Sequence, residues 1–169
     1  MSAAGTLVDP AAFRAGMRAM PGAVAIIATG PTGARTGMTA TAVCSLSDSP
    51  PMLLCCVNAS ASAHPLIRAH GSFSINLLAE EQAEIAARFA GRDGLKGEAR
   101  FAAGDWGTAE TGAPVLRDAM VSFDCELQAE HVHATHSIFV GTVRGVSTRV
   151  GVPPLLYLAG GFGGFHAFN

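Results

Sequence analysis

Charge is what this sequence has least of. Its 169 residues hold 11 Lys and Arg and 13 Asp and Glu, 14% charged against 49% hydrophobic, where an ordinary soluble domain is about a quarter charged. With a net charge of -2, the chain has no basic footprint for nucleic-acid phosphates. A chain this poor in charge has trouble covering its own surface with polar groups, so a large apolar subunit interface is expected. Apolar runs such as residues 52–57 fall far short of the roughly 20 residues that span a bilayer. Residues 1–10 lack a basic stretch followed by an apolar one, so they are not expected to act as a secretory leader.

Metal and phosphate motifs are missing as well. Cys44, Cys55, Cys56 and Cys125 form no C-x-x-C pair and no zinc spacing. Neighbouring Cys55 and Cys56 point to opposite faces of a strand, which argues against a bridge between them. All four are read as reduced, small, buried residues of a cytoplasmic protein. Neither G-x-x-x-x-G-K-[ST] nor G-x-G-x-x-G occurs, so a nicotinamide nucleotide, if one is used, is held without a Rossmann unit. His131, His133 and His136 lie close together, but no cysteine or carboxylate joins them at a ligand spacing, and no metal site is expected.

What is present is a stretch of small polar residues between strands. Residues 39–45 alternate loosely, residues 52–57 form an unbroken apolar run suited to a strand buried on both faces, and Pro50-Pro51 separates the two in a hairpin. Thr39, Thr41, Ser45, Asn58, Ser60 and Ser62 gather small donors there, with no bulky side chain to keep a ligand from the backbone. Such a surface suits a flat heterocycle carrying a phosphate. Residues 63–69 are read as a short helix capped by Ser62, whose N-terminus attracts phosphate; simple capping by Ser60 and Ser62 is the competing reading.

The rest of the chain supplies a frame. Asp9-Pro10 starts a helix that places Phe13, Met17 and Met20 on one face, with Arg14 as a surface or interface residue. Residues 23–29 form a central strand, residues 71–78 alternate Phe73, Ile75 and Leu77 as another, and residues 80–89 form an amphipathic helix with Ile85, Ala86 and Phe89 inward. Residues 91–112 are irregular, and their Arg92, Lys96 and Arg100 are read as a solvated loop rather than as phosphate ligands. Residues 120–127 and 138–146 are long strands joined by residues 128–136, and residues 153–158 are a last strand. At least seven strands with few helices, no internal repeat and no linker predict a single β-rich domain over residues 1–169, with residues 1–8 a loose N-terminal segment.

Five motifs in one order carry a resemblance. They are Phe13-Arg-x-x-Met17, Gly37-x-Thr-Ala-Thr-Ala-Val-Cys-Ser45, Asp48-x-Pro-Pro51, Cys56-Val-Asn58 and Thr135-His-x-Ile-x-x-Gly141. Together they resemble the flavin reductase family, nearest its branches serving 4-hydroxyphenylacetate 3-monooxygenase, pyrimidine utilisation and corrin cobalt reduction. The resemblance implies a split antiparallel β-barrel of the FMN-binding type that forms a homodimer and shares flavin sites across the interface. It implies hydride transfer from NADH or NADPH to FMN or FAD, with reduced flavin passing to a partner monooxygenase. Reduction of corrin-bound cobalt, or flavin carriage without turnover, are its alternatives. By the same resemblance Thr39, Ala40, Thr41, Ala42, Cys56, Val57, Asn58, Ser60 and Ser62 position the flavin and His136 stands on the nicotinamide side. Phe89 lies beside the ring or packs in the core, and His136 alternatively pairs with a strand end. Two departures stand out: Ala134 replaces a usual glycine, and residues 159–164 lack the arginines that relatives carry before the aromatic at Phe162.

Overall fold

The computed structural model describes residues 6–167; residues 1–5 of the segment expected to be loose lie outside them. The chain opens with helix α1 (Pro10–Arg18), where the Asp9 carboxylate accepts from the Ala12 amide at 3.2 Å and Pro10 takes the first helical position. Strands β1 (Gly22–Ala23), β2 (Ala25–Thr29), β3 (Thr36–Ala40), β4 (Val43–Asp48) and β5 (Pro51–Asn58) precede helix α2 (Ala63–His70) and strand β6 (Ser72–Leu77). A 3-10 turn leads into helix α3 (Ala83–Phe89), and the remainder is β7 (Trp106–Thr108), β8 (Pro114–Leu116), β9 (Val121–His133), β10 (His136–Thr148), β11 (Leu156–Leu158) and β12 (Gly161–Gly163).

Seven strands form one antiparallel sheet in the order β3-β2-β6-β9-β10-β5-β4. Its two edge strands, β3 and β4, are consecutive in the chain and joined only by Thr41 and Ala42. A sheet whose opposite edges are two residues apart must curl until they meet. The result is a split barrel, closed by the chain rather than by a continuous ladder. The expected hairpin over residues 37–57 is therefore corrected. Only β4 and β5 pair, and β3 lies across the seam because its partner is β2.

Strand β2 shows why the barrel is stable. Ala25 and Ile27 point into the interior with Phe73, Ile75, Val57 and Phe139, while Val24, Ile26 and Ala28 face a second core under α3 with Phe89, Phe101 and Leu116. Burial on both faces favours an uninterrupted apolar run. Strand β10 passes so close to Phe73 that a Cβ on Gly141 would lie 2.7 Å from that ring. Small sheets, β1-β11-β12 and β7-β8, cover the flanks.

Three further expectations are revised. The link between the long strands is only Ala134 and Thr135, because β9 runs on to His133 and β10 begins at His136. Residues 159–164 do not merely end the chain's last strand but turn back as β12 against β11. Of the cysteines, Cys55 and Cys125 are buried, Cys56 is half-buried and Cys44 is exposed. Cys44 lies on edge strand β4, whose outer face has no covering layer, as Leu46 at 50% exposure also shows.

Candidate functional site

The predicted residues converge on the seam. Ala42 accepts from the Cys56 amide at 3.0 Å, and Val43 donates to the Thr41 carbonyl at 3.1 Å, so the β3–β4 junction is moored to the end of β5. Along β10, Ile138 stands opposite Cys56 and His136 opposite Asn58, and the Ala59 amide donates to the Thr135 carbonyl at 2.9 Å. Residues 39–42, 56–60 and 136 thus form one continuous surface. Its β3 side is the outer edge of a strand with a neighbour on one side only, and such an edge presents free amides and carbonyls.

Individual roles differ. Ala40 is nearly buried, and Thr41 and Ala42 are exposed. Thr39 spends its hydroxyl on the Ala86 carbonyl at 2.6 Å, so it ties β3 to α3 and offers a ligand its backbone. Val57 is fully buried with its side chain in the interior, which leaves the main chain as its only route to a ligand; Cys56 is half-buried. Asn58 closes a turn by accepting from both the Ser60 amide at 2.9 Å and the Ser60 hydroxyl at 2.8 Å. Ser62 occupies the N-cap position of α2 but makes no cap bond; its hydroxyl meets that of Thr36 at 2.8 Å. The expected cap is thus replaced by a tether, which leaves the first amides of α2 without a side-chain partner.

Phe89 is 1% exposed and packs edge-on to Phe101, with ring centroids 5.1 Å apart, and against Trp106 at 5.4 Å. Of its two readings the core role fits this placement, and the ring backs β3 at Gly37. Arg100 is equally structural: its guanidinium donates to the carbonyls of Gly37, Phe89 and Leu95.

His136 is exposed at the mouth of the β9–β10 hairpin, its Nδ1 2.9 Å from the Thr135 hydroxyl. That leaves Nε2 directed away from its own turn. Ala134 adopts φ +49°, so the turn keeps the left-handed form that glycine would favour, at roughly 1–2 kcal/mol for an L-residue. His133 faces His136 across the hairpin and His131 faces Ile138; among the described residues no group of three metal-ligating side chains gathers.

Beneath His136 lies a network that sequence reasoning missed. The buried Ser137 hydroxyl donates to Glu130 at 2.7 Å and meets His64 Nε2 at 2.8 Å, while Arg68 grips the same carboxylate with two bonds of 2.8 Å. The Ser137 hydrogen bond, ahead of Arg68, holds the Glu130 carboxyl below its ordinary range. These four residues fix the start of β10 and with it the position of His136. Alternation on β10 would have placed Ser137 inward, but its partners come from two other elements.

The donor set is neutral and main-chain rich, with the Asn58–Ser60 turn and the His136 imidazole side by side where β5 meets β10, and the seam has no bulky side chain. It fits a flavin, whose ring edge takes backbone hydrogen bonds and whose phosphate takes hydroxyls and helix amides.

Comparison with known proteins follows the same line. A family model of flavin reductase-like domains matches residues 17–166. The FMN reductase (NADH) RutF of Agrobacterium fabrum is 44% identical over 145 residues, covering 86% of this chain and 82% of its own. Among solved structures, the BorF flavin reductase component of a bacterial two-component tryptophan halogenase superposes with TM-score 0.85 at 29% identity, covering 95% of this chain and 100% of BorF. The Streptomyces globisporus C-1027 NADH:FAD oxidoreductase SgcE6, solved with NAD and FAD fragments, gives TM-score 0.84 at 28% identity, covering 96% and 98%.

Proposed function

This chain belongs to the flavin reductase-like family, and from that membership and the seam geometry we propose that it is an NADH-dependent FMN reductase. The observation that carries the reading is the meeting of the free β3 edge, the end of β5 and His136 on one surface. When bound, the flavin supplies the acceptor for a hydride from the nicotinamide. The protein's own task is then to orient and desolvate two rings, which explains why no nucleophile or acid-base pair is needed. Backbone groups of residues 39–42 and 56–58 hold the ring edge, Ser60 and Ser62 hold the phosphate, and His136 hydrogen-bonds the nicotinamide carboxamide or the flavin edge.

Each site is completed across a homodimer interface. Support comes from exposed apolar surface on the sheet: Val132 on β9 and Val146 on β10 are 66% and 63% exposed. An obligate interface of this kind buries more than about 2,000 Å², and light scattering should report a dimer at assay concentration. The reduced flavin serves a partner monooxygenase, by analogy with BorF, the flavin reductase component of a two-component tryptophan halogenase. A cytoplasmic location is proposed with it, and no helix among the described residues is long and apolar enough to cross a membrane.

The test is aerobic oxidation of NADH with added FMN, together with titration of flavin fluorescence. We expect turnover and a Kd of about 1 μM or tighter, near -8 kcal/mol. FMN binding without NADH oxidation would identify a carrier instead, and absence of FMN binding at tens of micromolar would sink the proposal.

A further inference from the structure

The arginines divide into two groups. Arg35, Arg68, Arg88, Arg117, Arg144 and Arg149 pair with carboxylates, and Arg100 is consumed by three carbonyls. The remaining three are Arg14, Arg18 and Arg92, and none forms an ion pair among the described residues. They line two adjoining basins. Arg14 and Arg18, one turn apart on α1, border a basin of about 660 Å³ that reaches Thr41 and Tyr157. Those two residues also line an adjoining basin of about 230 Å³ that contains Arg92 and Phe162. No Asp or Glu lines either basin. In a protein that has placed its other arginines so fully, three uncompensated cations around one apolar trough form a seat for an anion.

The placement of each cation supports this. The Arg92 guanidinium stands over the Phe162 ring, 5.1 Å from its centroid, an arrangement that holds the head still while leaving its N–H edge free. Arg18 donates to the Ala159 carbonyl at 3.0 Å, which orients it beside the β11–β12 turn and leaves further donors.

Position decides which anion. The hydroxyl cluster at Ser62 touches β3 at Thr36, whereas the trough meets β3 at Thr39 and Ala40, with Thr41 just beyond its end. Thr36 and Ala40 are roughly 14 Å apart along a strand, so the phosphate seated at Ser60 and Ser62 is not the group that fills the trough. We infer that the trough holds the pyrophosphate of the nicotinamide dinucleotide, with Arg92 and Arg14 as its direct phosphate contacts. This rests on the reductase reading given above, and it makes the two substrates occupy opposite ends of β3, their rings meeting between.

The experiment uses the full-length protein and ADP-ribose, which carries the pyrophosphate but neither nicotinamide nor flavin. Calorimetry should show binding to the wild type, weakened about 10-fold in R92Q and in R14Q, with the log of affinity falling less steeply with salt in each variant. R144Q, which removes a cation outside the trough, should bind as the wild type does. In steady state R92Q should raise KM for NADH about 10-fold with kcat held, while oxidation of reduced nicotinamide riboside, which has no phosphate, is unchanged. No binding of ADP-ribose to the wild type, or equal binding by R92Q and R14Q, overturns the inference. A loss in FAD affinity without a loss in ADP-ribose affinity also overturns it, because it assigns the trough to the flavin's own tail. Failure of the reductase reading is separate: it is absence of NADH oxidation with FMN, whatever ADP-ribose does.

Discussion

Gly37 is a position where close backbone packing and the candidate site's strand meet, and Gly37→Ala tests that packing. A Cβ there would lie 2.8 Å from the Ile27 carbonyl oxygen and 2.9 Å from Cε1 of Phe89. The carbonyl belongs to the neighbouring strand, and the ring is hemmed in by Phe101 and Trp106, so neither yields cheaply. Overpacking of this kind costs about 1–3 kcal/mol, and for a chain of this size each kcal/mol lowers Tm by about 2–4 °C. Thermal unfolding should therefore show a Tm lower by roughly 3–10 °C. Phe89→Leu removes the ring edge but not the carbonyl contact. The double variant should thus be less destabilised than the sum of the two single ones, with a coupling of about 0.5–2 kcal/mol. Phe89→Leu alone should lower Tm while FMN affinity in the folded protein stays within about twofold, about 0.4 kcal/mol. Additive single effects, or a Tm for Gly37→Ala within a degree of wild type, would refute the packing argument. Loss of FMN affinity at unchanged Tm would return Phe89 to the site.

Three other outcomes follow. His136→Ala should keep fold and FMN affinity but lower kcat/KM for NADH by about 10- to 100-fold, about 1.4–2.7 kcal/mol, whereas His131→Ala and His133→Ala should change little; equal losses at all three would revive a metal cluster. Glu130 has a folded-state pKa held below its ordinary value near 4.5, so its stabilisation is complete above that value and is lost as pH falls through the lowered one; Glu130→Gln should flatten the acid limb of the stability curve, and an unchanged limb would show that the Ser137 and Arg68 bonds add nothing. Thiol titration should find Cys44 quick to react and Cys55 and Cys125 silent until unfolding, since burial raises both thiols, that of Cys125 to about 12; fast labelling of either buried thiol in the native protein would contradict the core assignment.

Much of the frame was legible because it is local. Asp9-Pro10 starts α1, alternation marks β6, and the inward face of α3 follows from Ile85, Ala86 and Phe89. What failed was nonlocal. Residues 128–133 read as a connection because they are polar, yet β9 extends beyond the apolar core as a ribbon in which Val132 is 66% exposed and the inward position is held by the charged Glu130, so no apolar alternation marks it. Ser62 has a cap's residue type and position, but Thr36 from a distant strand takes its hydroxyl. Cys44 was expected to be buried because its type usually is, and an edge strand with an uncovered face exposes it. The site residues were named through motif order; their meeting could not be derived, because it depends on the sheet closing so that β3 and β4 become its opposite edges.

That closure also explains why residues 39–45 read so poorly as a strand. If β3 and β4 were zipped into a continuous ladder, the amides of residues 39–42 would be consumed by the sheet and the barrel would have no edge to offer. The chain instead turns the corner at Thr41 and Ala42, where the Ala42 carbonyl only prolongs the β4–β5 ladder by accepting from Cys56, and the side chains there are small. Weak local patterning and an unpaired edge are two views of one arrangement, since a sequence breaks its own rules where something other than packing decides the residues. Gly22 shows how little room the seam leaves: a Cβ on it would lie 2.8 Å from Cβ of Thr41. Filling that position would press on Thr41, the residue that lies both at the β3–β4 junction and in the proposed arginine trough.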